Sequence, residues 1–157
     1  MNELEPTSTK LRETLASSSV KHILVLAKKE AKRVRSTFID TGLLLWAIAK
    51  ESKEAAGVLS EMGVTGKNIM LDIKPASLSR PVKSVEVELT ALCEDALTKA
   101  FDIANSYRSN QVNSFHLLLA LLSIEGGMGK GALTRMGIDL EDLDVRIKQL
   151  ITASLVA

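Results

Sequence analysis

Leu59-Ser60-Glu61-Met62-Gly63-Val64 recurs 74 residues later as Leu133-Thr134-Arg135-Met136-Gly137-Ile138, and this repetition decides the fold. Upstream, Leu44-Leu45-Trp46-Ala47-Ile48 recurs as Leu117-Leu118-Leu119-Ala120-Leu121 at an offset of 73, so one residue is inserted near Glu125-Gly126-Gly127. The offset of 73 also pairs Leu24 with Leu97, Ala27 with Ala100 and Ala31 with Ala104, which is the three-and-four spacing of a buried helix stripe. Each half of the chain therefore repeats one series of helices, and self-similarity of this kind fixes the architecture before any local pattern does.

In the first copy, Val20 to Arg35 is predicted as an amphipathic helix. Val20, Ile23, Leu24, Ala27, Ala31 and Val34 share its apolar face, basic residues cover the other, and Ser17 or Ser18 caps it. Thr41-Gly42 opens a second helix to about Lys50, whose unbroken apolar run from Leu43 to Ala49 requires burial on nearly all sides. A shorter helix from Lys53 to Met62 ends at Gly63, the expected left-handed cap, and another turn or two follows over Lys67 to Ile73.

Lys74 to Pro81 holds two of the three prolines and separates the copies. The second copy is expected as helices over Leu89–Tyr107, Ser114–Ile124, Lys130–Met136 and Leu140–Ile151, with Asn113 or Ser114 as cap of its core helix. Residues 5 to 16 are expected to form an extra helical turn capped by Thr7 or Ser8. The expected organisation is an N-terminal extension over 1–16, repeat one over 17–73, a linker over 74–88 and repeat two over 89–152. The expected fold class is all-α: two tandem four-helix repeats closed into a pseudo-twofold bundle whose apolar core helices meet at the centre. Solenoid repeats are shorter and need three or more copies, which favours a closed pair.

Composition agrees. The 157 residues suit one domain. Apolar residues make up 46% and aromatics only 3%, so the interior must be aliphatic, which suits helices better than a sheet sandwich. With 20 basic and 19 acidic residues, no overall field points to nucleic acid or an anionic membrane, and any charged site must be local. The N-terminus lacks a signal-like apolar stretch and no run is long enough to span a membrane, so a soluble, unprocessed protein in a reducing, cytoplasmic compartment is expected.

Candidate chemistry is sparse. Cys93 stands alone and excludes an internal disulfide, and it falls at an apolar position equivalent to Val20, which predicts a buried, inert thiol. His22 and His116 are too far apart in sequence to suggest a metal site; no metal and no cofactor is expected. His116 precedes a buried helix and is expected to hydrogen-bond backbone at its start. Gly126-Gly127-Met128-Gly129-Lys130-Gly131 imitates a phosphate loop, but Ile124 stands where the first glycine belongs and Gly131 where Ser or Thr belongs. No nucleophile with a base and no acid–base pair appears at interpretable spacing, so no catalytic residue and no enzyme activity is expected.

Two surface features remain. Lys21, Lys28, Lys29, Lys32, Arg33 and Arg35 form the strongest local charge cluster, open to phosphates or an acidic partner; no aromatics interleave with it, which disfavours nucleic acid. Met62, Met70, Met128 and Met136 either line an adaptable peptide groove or fill core. Trp46 is expected to pack in the core with its indole N–H seeking a partner, and Glu141, Asp142 and Asp144 to serve the start of the last helix.

The pattern resembles the double Clp-N (Clp R) domain at the front of Clp-type chaperones such as ClpC and ClpB. The residues that carry the resemblance are Glu30-Ala31, Ile39 to Ile48 and Leu59 to Val64 in the first copy, with Val112 to Leu121 and Leu133 to Ile138 in the second. It covers roughly residues 17 to 152.

The resemblance implies a non-catalytic protein-binding domain that docks an adaptor, a substrate segment or a Clp subunit. It also implies that the first helix of each repeat carries the contacts, near Ser17, Val20, Lys21, Thr90 and Glu94. The chain is then either a free-standing accessory protein similar to ClpT-like subunits, with the plastid stroma as its compartment if it is a mature organellar chain, or the front domain of a larger Clp ATPase. Nucleic-acid binding through residues 21–35 is the alternative from another class. The sequence departs from the family where some ClpC proteins place a glutamate that, with a threonine, recognises phosphorylated arginine: here Gly42 and Phe115 stand. Without that carboxylate the guanidinium loses its paired acceptor, so phosphoarginine binding is not expected at either site.

Overall fold

The structure is a computed structural model that describes residues 16–51, 54–73 and 87–156. Among the described residues the chain forms eight helices and two short strands. In order they are α1 (Ser18–Arg33), β1 (Phe38–Ile39), α2 (Thr41–Glu51), α3 (Ala55–Glu61), α4 (Gly66–Ile73), β2 (Glu88–Leu89), α5 (Ala91–Ser106), α6 (Ser114–Leu122), α7 (Met128–Arg135) and α8 (Leu140–Val156).

The two halves start and stop their helices by the same local chemistry. Ser17 holds extended backbone at φ −66° and ψ 163°, and its hydroxyl accepts the Val20 N–H at 3.2 Å. Thr90, at the equivalent position, sits at φ −68° and ψ 162° and accepts the Cys93 N–H at 3.3 Å. Each cap satisfies a donor that the first helical turn leaves unpaired.

At the other end, α1 and α5 close through Arg35 (φ 61°) and Arg108 (φ 56°). The following N–H then reaches back, from Ser36 to the Ala31 carbonyl at 2.7 Å and from Ser109 to that of Ala104 at 2.9 Å. Gly63 (φ 81°) and Gly137 (φ 77°) terminate α3 and α7 by the same return bond, from Val64 to Leu59 at 2.8 Å and from Ile138 to Leu133 at 3.0 Å. The expected left-handed cap at Gly63 is present, and the repeat quoted first is a helix-stop signal used twice.

The centre follows from the apolar runs. α2 is buried from Thr41 through Ile48 and α6 along its whole length. The two core helices pack on each other, and each also packs on elements of both repeats: α2 on α1, α3, α4, α7 and α5, and α6 on α5, α7, α8, α3 and α1. Neither half could bury its core helix alone.

Two polar exchanges cross the same divide. Thr41 Oγ1 accepts the N–H of Gly129 at the start of α7 at 3.0 Å, and the equivalent Ser114 Oγ accepts that of Ala55 at the start of α3 at 3.4 Å. The extended steps pair crosswise too. β1 lies parallel to β2 with Phe38 opposite Glu88 and Ile39 opposite Leu89, while Ala16 bridges to Val112. The Thr90 N–H donates to the Ile39 carbonyl at 3.0 Å and the Ser17 N–H to that of Val112 at 2.8 Å.

Element boundaries moved for physical reasons. Leu89 was expected inside a helix but pairs in β2, because the Thr90 cap requires extended backbone before the helix begins. α1 begins at Ser18 because Ser17, not Ser18, is the cap. α6 stops at Leu122 with Ser123 as its C-terminal cap, α7 begins two residues earlier than expected, and α8 continues past Ile151 to Val156. The expected turn capped by Thr7 or Ser8, the Lys53 helix start and the proline segment 74–81 lie outside the described residues.

Glycine substitutions separate close approach from open surface. A Cβ at Gly129 would lie 2.7 Å from the Thr41 carbonyl oxygen, whereas one at Gly57 would meet nothing within 4 Å. Gly129→Ala is expected to lower stability by about 1–3 kcal/mol through overpacking against backbone, and Gly57→Ala to raise it by about 0.5–1 kcal/mol within α3. Urea unfolding of both variants beside the wild type measures the opposite signs.

Candidate partner-binding surface

The crosswise pairing builds two equivalent corners, each joining the cap of a first helix to the start of the other repeat's core helix. At one corner Ser17 lies on Val112, and Asn113 starts α6. The Asn113 Oδ1 accepts the N–H groups of Phe115 at 2.9 Å and His116 at 3.2 Å, while His116 Nδ1 accepts the Asn113 N–H at 3.0 Å. This reciprocal pair is a capping box in which His116 takes the part usually played by Glu or Gln. At the other corner Thr90 lies on Ile39, and Asp40 Oδ1 accepts the Leu43 N–H at 2.8 Å at the start of α2.

The five residues singled out from the sequence therefore divide between the corners. Ser17, Val20 and Lys21 share the first, and Thr90 and Glu94 the second. Ser17 and Thr90 are half-buried, Lys21 and Glu94 are exposed, and Val20 is only 2% exposed, so it supports its corner from inside. The corners differ in charge: Lys21 with neutral Asn113 at one, Glu94 with Asp40 at the other.

Other side chains are accounted for by burial. Cys93 is buried, and loss of solvent pushes its thiol up to about 12, with Asp40 and Glu94 adding to the rise against the hydrogen bond from the Thr90 cap. His116 is 1% exposed; burial holds its pKa below the usual imidazole range, and its Nε2 has no hydrogen-bond partner among the described residues. Trp46 packs in the core at 8% exposure. Met62, Met70 and Met136 pack half-buried against the core, while Met128 is 41% exposed.

Position 42 has no room for the missing carboxylate: even a Cβ there would stand 2.9 Å from Ile73 Cγ2 and 3.1 Å from Met128 Cβ. Phe115 is buried. Sequence reasoning missed a hollow of about 250 Å³ at the C-terminal end of α5, lined by Phe101, Asp102, Asn105, Asn110, Gln111 and Val112 among others. No linear motif marked it, because α5 and the segment after it meet only through the turn at Arg108. Among the described residues there is no group of side chains fit to hold a metal ion, and no helix is long and apolar enough to cross a membrane.

Residues 88–154 match the Clp repeat (R) N-terminal domain. This part of the chain is similar to that family. Among curated relatives, an ATP-dependent Clp protease ATP-binding subunit ClpA homolog of Cyanidium caldarium is 28% identical over 131 residues, 82% of this chain and 15% of the relative. Chaperone protein ClpC1, chloroplastic, of Arabidopsis thaliana is 27% identical over 131 residues, 82% of this chain and 14% of the relative. The chain thus spans about one-seventh of the length of these relatives.

Among solved structures, the N-terminal domain of the chaperone ClpD from Arabidopsis thaliana superposes with a TM-score of 0.71 at 16% identity, covering 88% of this chain and 96% of that one. The Hsp104 N-terminal domain from Candida albicans gives 0.74 at 18% identity, covering 86% and 90%. Both cover most of each chain, so the fold is shared through both halves and not only over the matched second one.

Two measurements probe the corners. Cys93 is expected to resist a disulfide reagent at pH 8 in the native protein and to react fully once urea unfolds it. For His116, the depressed native pKa means that the unfolded chain binds the proton more readily. Stability is therefore complete above about pH 6.5, the unperturbed value, and falls below it by at most about 1.4 kcal/mol per pH unit. Urea midpoints between pH 7.5 and 5.5 should show this slope, and His116→Gln, which preserves a capping-box residue, should flatten it.

Proposed function

We propose that this chain is a non-catalytic protein-interaction domain of the Clp chaperone–protease system, docking an adaptor, a substrate segment or a Clp ATPase or protease subunit. The family match over residues 88–154, in a repeat whose caps, core helix and stop signals are reproduced in the other half, carries this proposal. We divide the chain into repeat one over 17–73 and repeat two over 89–152, with 74–88 joining them and 1–16 in front. The contact residues on this proposal are Ser17 and Lys21 at one corner and Thr90 and Glu94 at the other, with Val20 as support.

The absence of any catalytic constellation in the sequence supports a binding role over a chemical one. Relatives such as the chloroplastic ClpC1 of Arabidopsis thaliana support the plastid stroma or an equivalent cytoplasmic setting. Gly42 and Phe115 argue that a partner is not recognised through phosphoarginine, since neither core helix start carries a glutamate at that position to accept the paired guanidinium donors.

The test is affinity capture from native lysate with the purified chain as bait, read by mass spectrometry with and without nuclease. Nuclease-resistant enrichment of Clp ATPase or protease subunits is the expected result. Recovery of nuclease-sensitive partners alone would instead favour nucleic-acid binding by the basic face of α1.

A further inference from the structure

We infer that the outer face of α1 is a docking surface for an acidic protein segment that carries an exposed apolar side chain. At about 100° per residue, Lys21, Val25, Lys28, Lys29 and Lys32 fall within an arc of roughly 100° on one side of α1, with Val25 near its middle. The four lysines are exposed, and Val25 among them is 51% exposed, so the row has an aliphatic side chain open to solvent at its centre.

None of the four lysines has an ion-pair partner among the described residues. The nearby carboxylates are engaged elsewhere, Glu30 with Arg33 and Glu51 with His22 at 3.3 Å. A row of like charges on one helix face opposes folding slightly and needs some other reason to be there.

The second repeat shows that the fold does not require this row. At the equivalent positions α5 carries Glu94, Thr98, Phe101, Asp102 and Asn105 in the same helix, with the same cap and the same stop. Two lysines are replaced by acids, one by Phe101 and one by Asn105, and the valine by a polar residue, so the basic row with an aliphatic centre belongs to this one face.

Charge complementarity selects an acidic occupant, and the central Val25 selects a protein over a nucleic acid or a lipid headgroup. Four cations over about three helical turns match carboxylates at helical spacing, while an aliphatic centre adds nothing to a phosphate backbone. The surface rests on the protein-binding role proposed above and names the partner's chemistry.

The probe is a labelled helical peptide with glutamates flanking a central leucine, titrated against the whole chain and read by fluorescence anisotropy. The controls are the same peptide with serine for leucine, a single-stranded DNA oligonucleotide and phosphatidylglycerol vesicles. The variants copy α5, so the fold tolerates them, and circular dichroism confirms it: Lys21→Glu with Lys29→Asp, and Val25→Thr.

The leucine peptide should bind, weaken about tenfold with the double charge reversal and weaken about threefold with Val25→Thr, while the serine peptide ignores Val25→Thr. The inference is overturned if the leucine peptide does not bind, if Val25→Thr leaves its affinity unchanged, or if DNA or vesicles bind as tightly at the same salt. A failed titration beside successful capture of Clp subunits removes this surface alone, and a successful titration beside failed capture removes the Clp assignment alone.

Discussion

Everything in this fold depends on the exchange between the two halves. The Ser17 N–H bonds the Val112 carbonyl and the Thr90 N–H bonds that of Ile39, so each first helix is hung from the extended step that leads into the other repeat's core helix. Buried backbone groups must find partners, and these do so across the pseudo-twofold axis. Thr41 and Ser114 repeat the arrangement one turn further in, each capping a helix start in the opposite repeat. The consequence is that neither repeat is complete alone: removing one leaves unpaired donors as well as exposed leucines in the other.

That constraint explains the composition. Two core helices buried on nearly all sides must lie against each other and against both sets of neighbours, which demands aliphatic side chains of moderate size at close approach. The two large aromatics in this region, Trp46 and Phe115, are each 8% exposed, whereas Leu44, Leu45, Ile48, Leu117 and Leu118 are fully buried. Gly127 and Gly129 sit against Thr41 for the same reason, since a Cβ at either would reach 2.7 Å from it. What the sequence presents as an imitation of a phosphate loop is a close approach between a loop, a helix start and the opposing core helix.

The two halves differ in what they expose. Their caps, stops and core faces agree position by position, but their outer faces have separated, with Lys21 against Glu94 and Lys29 against Asp102. A fold built from two copies leaves the surface free to differ while the interior stays fixed, because only the interior residues are coupled through the axis. A double domain can thus carry two distinct outer faces on one structural solution.

The helices, their buried stripes and their pairing across an offset of 73 were determined by the sequence, because periodicity and capping are local properties that a linear pattern records. Gly63 could be named, and the caps narrowed to Ser17 or Ser18 and Asn113 or Ser114, for the same reason: each acts within four residues of itself. The crossed strand pairs, the Thr41 and Ser114 caps over the opposite repeat, the hollow beyond α5 and the lack of space at Gly42 were decided only by tertiary structure. They join residues tens of positions apart, such as Thr41 to Gly129, through contacts that exist only once both halves have closed around the paired core helices.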